Sequence, residues 1–157
     1  MPRNSGKLLE VKVSEALRKH QEQQGSHFIR LYDATSSGGR GYKQVGDFIW
    51  LLPDKAVLIE CKSTDTGLSF SEILKSKTSK EQIPHHKLWQ MSGHPSIYIY
   101  LNQPTQDVQI FDAAQVFSIF SNTATKPVLN FMSSGTLRFL DRILSDIACK
   151  LKREGEI

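Results

Sequence analysis

Two strongly apolar stretches, 45–52 and 56–63, flank Pro53-Asp54-Lys55, and this pattern constrains the fold more than any other in the chain. The central triplet marks a turn, so the stretches are expected to pair as the two strands of a hairpin. Three charges interrupt them. Asp47 lies in Gly46-Asp47-Phe48-Ile49-Trp50, and Glu60 and Lys62 lie in Leu58-Ile59-Glu60-Cys61-Lys62. Charged side chains are almost never fully buried unless paired. Strand side chains alternate between faces, so Glu60 and Lys62 share one. A tight turn near residue 54 sets Asp47 almost opposite Glu60. Two carboxylates and an ammonium then converge at one spot. Like charges placed that close repel unless a cation lies between them. Hard carboxylate oxygens suit Mg²⁺, with Mn²⁺ a substitute. The alternative is a structural salt-bridge cluster, which is costly to bury.

The neighbouring segments supply the frame. Residues 5–24 read as a helix that Asn4 or Ser5 can cap and Gly25 can end, with Leu9, Val13, Ala16 and Leu17 as its buried stripe. Each helical residue advances by about 100 degrees, which puts Glu10 about 60 degrees from Val13, at the edge of that stripe and facing the sheet. Glu15 lies about 140 degrees from Glu10 and faces solvent. Glu10 is therefore the expected third acid. A short strand is expected over 27–33 and a polar, glycine-rich loop over 34–44. Beyond the hairpin, 64–77 begins as loop. A helix follows over 79–92 with Pro84 near its first turn, where proline is tolerated. Strands are expected over 95–102 and 107–111, and Asp112 can cap a short helix reaching Phe120. Residues 121–134 are irregular. An amphipathic helix over 136–152 carries Leu137, Leu140, Ile143, Leu144, Ile147 and Leu151, a stripe that fits either covering the sheet or a dimer interface. The order α-β-β-β-α-β-β-α-α implies an α/β domain with a mixed sheet.

Composition narrows the function classes. At 157 residues the expectation is one domain, 1–157, whose motif-bearing core is about 5–112. No apolar run reaches the roughly 18–20 residues of a membrane span. The charged opening of the chain does not read as a signal peptide. Two cysteines, Cys61 and Cys149, show no paired spacing, so a disulfide framework is not expected and a reducing, cytoplasmic setting fits. The net charge is +4, a mild excess that permits nucleic acid as partner without establishing it. The excess falls entirely in the first 87 residues, with 14 basic and 10 acidic side chains. Three of those acids are the candidate site residues, so the surface around the site is more basic than the sum suggests.

Asp47, a spacer of twelve residues and then Glu60-Cys61-Lys62 resemble the PD-(D/E)xK nuclease motif, with Glu10 as the preceding helix acid. The nearest resemblance is to archaeal-type Holliday junction resolvases, and more loosely to RecU-like relatives. Gly6 stands four residues before Glu10, similar to the glycine-to-glutamate opening of those resolvases. Ser36-Ser37-Gly38-Gly39-Arg40 resembles their serine-glycine loop. Lys80-Glu81-Gln82 opens the helix after the motif, as a similar tripeptide does there, and Ser92-Gly93 leads into the next strand. The resemblance covers about residues 5–103. Gly46 departs from it, standing where the motif name puts proline.

The resemblance implies an α/β, restriction-endonuclease-like mixed β-sheet flanked by helices. It implies a Mg²⁺-dependent, structure-selective DNA endonuclease, a Holliday junction resolvase, acting as a homodimer because symmetric cutting of two strands needs two sites. Asp47 and Glu60 would hold the metal with the Cys61 carbonyl. Glu10 would complete its surroundings, Lys62 would position the attacking water or stabilise the oxyanion, and Gln82 would support the site. Ser36, Ser37, Arg40, Lys43, Lys80 and Lys87 are candidate DNA contacts, weighed against a flexible loop and solvated charges. His85-His86 lacks the partners and spacing of a zinc site. Two alternatives stay open: a restriction, repair or mobile-element endonuclease acting on duplex DNA, and a DNA-binding module of the same fold that does not cleave.

Overall fold

The computed structural model describes residues 5–31, 46–121 and 133–154. The segment expected to be a loop, with Ser36, Ser37, Arg40 and Lys43, lies outside the described residues. The elements in chain order are α1 (Ser5–Gln24), β1 (His27–Arg30), β2 (Phe48–Leu52), β3 (Lys55–Thr64), α2 (Phe70–Ile73), α3 (Lys77–Met91), β4 (Ser96–Asn102), β5 (Asp107–Asp112), α4 (Ala113–Ser121), β6 (Ser133–Thr136), a 3-10 turn (Leu137–Phe139) and α5 (Leu140–Glu154).

The hairpin forms as its turn residues dictate. β2 and β3 pair antiparallel with Phe48 opposite Ile59 and Leu52 opposite Lys55. The described strands form one six-stranded sheet in the order β1-β2-β3-β4-β5-β6. Its one parallel pair is β3 with β4, in which Glu60 stands beside Tyr98 and Lys62 beside Tyr100. A parallel neighbour requires a crossover connection, and α2 and α3 provide it. β3 is paired on both edges and buried on both faces, which accounts for its near-continuous apolar run.

Helices cover both faces of the sheet. On one side α1 and α5 pack Leu9, Val13, Leu17, Leu140, Leu144, Ile147 and Leu151 against Phe48, Trp50, Val57, Ile59, Ile97 and Ile99. Each such fully buried side chain stabilises the fold by about 1.5–3 kcal/mol. On the other side Phe70, Leu74, Ala113 and Val116 pack on Tyr98, Tyr100 and Phe111, with the Phe70 and Phe111 rings stacked at 4.4 Å. Glycine ends α1: Gly25 takes a φ of +76°, and its N–H donates to the Gln21 carbonyl at 3.0 Å. Just beyond, the Trp50 indole N–H donates to the Ser26 hydroxyl at 3.4 Å. That hydroxyl meets His20 Nδ1 at 2.6 Å. Burial holds the His20 imidazole below its ordinary pKa.

Three expectations differ from the structure. Ser133–Thr136 pairs antiparallel with β5 as β6, at the junction between the irregular stretch expected over 121–134, of which 122–132 lie outside the described residues, and the helix expected from 136. Its Ser-Ser-Gly-Thr sequence carries no apolar alternation; the exposed edge of β5 decides its conformation. Helix α3 begins at Lys77, so Pro84 sits in its interior rather than its first turn. Lacking an N–H, proline leaves the Lys80 carbonyl without its usual helical donor. The 136–152 helix opens as a 3-10 turn, and α5 proper starts at Leu140. Asp112 does cap α4, accepting from the Ala114 N–H at 2.8 Å.

Gly46 has a steric explanation. A Cβ built there would lie 2.7 Å from Leu58 Cδ1 and 3.2 Å from the Ile59 carbonyl oxygen. The chain entering β2 thus approaches β3 too closely for a side chain. Gly46→Ala is expected to destabilise the protein by about 1–3 kcal/mol, measured by urea unfolding. An unchanged unfolding midpoint would show that the approach is looser than this spacing.

Candidate active site

The site is built where β2 begins and β3 passes it. The Asp47 N–H donates to the Ile59 carbonyl at 2.8 Å, and its own carbonyl accepts from the Leu31 N–H at 2.9 Å. These bonds fix the backbone at Asp47 on both sides. Its side chain then accepts from the Cys61 N–H at 2.6 Å through Oδ2. Asp47 is 8% exposed and Glu60 3%. The hairpin register therefore sets two buried carboxylates side by side.

Their charges are only partly compensated. Burial, then the charge of Glu60, pushes the Asp47 carboxyl up to about 8; the Cys61 N–H opposes this, and Glu10 adds to the rise by charge and by hydrogen bonding. Glu60 Oε1 faces Lys62 Nζ at 3.3 Å. Glu60 Oε2 is buried and has no hydrogen-bond partner among the described residues. Lys62 Nζ donates to Gln82 Oε1 at 2.8 Å, so α3 anchors the lysine above the sheet. Burial pushes the Cys61 thiol up, and the neighbouring carboxylates, Asp47 first, add to the rise.

Glu10 reaches the cluster from α1. It lies at the edge of the buried stripe, while Glu15 is exposed and paired with Lys12 at 3.5 Å. Glu10 Oε2 accepts from Arg30 at 3.0 Å, a partner that sequence reasoning did not identify. The structure thus brings together Glu10, Asp47, Glu60, Cys61, Lys62 and Gln82. Lys80 and Lys87 are exposed on α3. His86 was the larger omission. It is fully buried, and its Nε2 lies 3.9 Å from Glu60 Oε2. The available signal was its place four residues after Gln82, on the same helix face.

No three His, Cys, Asp or Glu side chains among the described residues form a ready-made metal cage. The donor set nevertheless fits a hard cation of the Mg²⁺ type, which usually keeps several waters and takes one or two carboxylates. Asp47 and Glu60 supply two, buried side by side. Burial is the first cause of the raised Asp47 pKa; the Glu60 repulsion that adds to it is the interaction a cation would relieve.

A six-stranded mixed sheet, helices on both faces and acids gathered where the hairpin strands meet define an α/β fold of the restriction-endonuclease-like class. This chain is similar in structure to Hjc, a Holliday junction resolvase from the archaeal hyperthermophile Archaeoglobus fulgidus. The TM-score is 0.50 and the identity 12%, over 93% of this chain and 97% of that one. The crystal structure of SSO0001 is matched with a TM-score of 0.37 and 16% identity, over 93% of this chain and 59% of that chain. No protein-family model matches the chain, and no curated protein matches its sequence. The likeness to the resolvase establishes a shared fold, the one the motif implies. Among the described residues, no helix is long and apolar enough to cross a membrane.

The raised Asp47 pKa has a consequence for stability. A carboxyl whose pKa is higher folded than unfolded binds its proton more tightly in the folded state. The metal-free protein should therefore lose stability as the pH rises from near 4, the ordinary aspartate value, through about 8. Asp47→Asn removes that loss and keeps an oxygen for the Cys61 N–H. In EDTA the variant should melt about 5 °C above the parent at pH 9 and level with it at pH 4. Equal melting at both values would show that Asp47 is not under this strain.

Proposed function

We propose that this chain is a Mg²⁺-dependent endonuclease that hydrolyses DNA phosphodiesters, and that its substrate is a four-way Holliday junction. The observation that carries the reading is the buried pair Asp47 and Glu60, with Lys62 held beside them by Gln82. The shared fold and the fit of the motif to it support the same class.

Asp47 and Glu60 would hold the ion, with the Cys61 carbonyl, and Glu10 would complete the acidic wall. When bound, the ion supplies Lewis-acid stabilisation of the phosphate and activates water. Lys62 does what a metal cannot do alone. Its ammonium, fixed between Glu60 Oε1 and Gln82 Oε1, presents a positive donor at one defined position. There it orients the attacking water or stabilises charge developing on the phosphate oxygens. The acids by themselves repel DNA, so the cation serves binding as well as chemistry. Ser36, Ser37, Arg40 and Lys43 from the expected loop, and Lys80 and Lys87 from α3, are proposed to contact the DNA backbone, which makes affinity fall with salt. Symmetric cutting of two strands needs two such sites, hence a homodimer.

The test uses purified protein with a labelled four-way junction, the matched linear duplex and single strands, each with Mg²⁺ and with EDTA. The expected result is paired symmetric nicks in the junction alone, lost in EDTA. Glu60→Ala and Lys62→Ala should each slow cutting by at least about 100-fold. Equal cutting of the linear duplex would replace the junction with duplex DNA as substrate. Tight binding without cutting in Mg²⁺ or Mn²⁺ would make the protein a binding module, and undiminished cutting by Glu60→Ala would displace the site.

A further inference from the structure

Behind the acidic pair lies a second buried polar group. His86 on α3 is fully buried, as is Tyr98, which stands beside Glu60 in the parallel register. The His86 and Tyr98 rings lie 4.8 Å apart with planes tilted by 32°. His86 Nδ1 is hydrogen bonded to the Ser96 hydroxyl. Its other nitrogen, Nε2, has no partner among the described residues, and neither has Glu60 Oε2, 3.9 Å away. Buried polar atoms left unpaired cost about 1–3 kcal/mol each, so two orphans of complementary kind facing each other are a joint anomaly. A shift of about 1 Å would close the gap to hydrogen-bond distance.

The spacing of the two elements explains why they meet. Gln82 and His86 are one helical turn apart, about 6 Å along α3. Glu60 and Lys62 are two strand residues apart, about 6.6 Å along β3, on one face. Gln82 matches Lys62, and His86 matches Glu60. One helix face is thus in register with the two charged residues of one strand face.

We infer that His86 is a positioning residue for Glu60. The Ser96 hydroxyl donates to Nδ1, which leaves the ring proton on Nε2, pointing at Glu60 Oε2. Tyr98 packs against the ring and holds its plane. With Oε2 engaged by the imidazole, Oε1, the oxygen beside Lys62, is the one left for a cation. The consequence for metal binding rests on the nuclease reading; the His86–Glu60 contact does not.

Two measurements test this on the full chain. Long-range ¹H–¹⁵N spectra of the metal-free parent should show the His86 proton on Nε2, and Glu60→Ala should shift that resonance. Titration with Mn²⁺, read from the spin-resonance signal of the free ion, should show His86→Leu binding about tenfold more weakly than the parent. His86→Gln, whose amide can donate from nearly the same place, should restore most of the affinity. A proton on Nδ1 with bare Nε2, or a folded His86→Leu that binds Mn²⁺ like the parent, would overturn the inference. If His86→Leu does not fold, the parent's proton position decides. A parent that neither binds Mn²⁺ nor cuts DNA, yet shows the Nε2 proton shifting in Glu60→Ala, would sink the nuclease reading while upholding the contact.

Discussion

The nearness of the Asp47 and Glu60 carboxylates is the constraint on which the rest of the structure depends. Two like charges in a buried place repel, and nothing about either residue alone would bring them together. The β2–β3 register does so, and the apolar residues of the hairpin hold the register. Phe48, Trp50, Val57 and Ile59 all enter the core on one face. A slip of one residue would turn each of them to the opposite face. The repulsion is therefore offset by burial elsewhere on the same two strands. It is also moderated locally, by the Cys61 N–H at Asp47 and by Lys62 at Glu60.

The two helical layers meet this pair from opposite sides of the sheet. α1 belongs to the layer that buries Leu9, Val13 and Leu17, and it brings Glu10 to the edge near Asp47. α3 crosses the other face and brings Gln82 to Lys62 and His86 toward Glu60. The cluster thus draws on α1, on the residue that leads into β2, on β3 and on α3, elements positioned by their own apolar contacts. A charged group held in this way loses little freedom on binding a cation or a phosphate, which is the condition for a preorganised site.

Much of this was legible in the chain itself. The turn at Pro53-Asp54 and the apolar runs around it specified the hairpin and, by counting, set Asp47 opposite Glu60. The stripes of α1 and α5 were visible as helical periodicity, and their residues are the ones buried. Glu10 could be separated from Glu15 by angle alone. What escaped had no local signal. Ser133–Thr136 is polar and short, and it is a strand because β5 offers it an edge. Arg30 became the partner of Glu10 through the packing of α1 beside β1. His86 read only as half of a His-His pair without the partners and spacing of a zinc site, yet it is buried while His85 is exposed.

The sequence by itself determined the chemistry and the local geometry: which residues carry charge, which alternate, and where the hairpin turns. These follow from side-chain type and from the periods of helix and strand, which act over a few residues. The tertiary structure alone decided which buried nitrogen faces which buried oxygen. His86 and Glu60 are 26 positions apart. Their meeting depends on how α3 settles on β3 and β4, a packing outcome to which residues as distant as Phe70 and Val116 contribute. Short-range periodicity carries no record of that arrangement, because many helix placements bury the same apolar face and only one aligns Gln82 with Lys62 and His86 with Glu60.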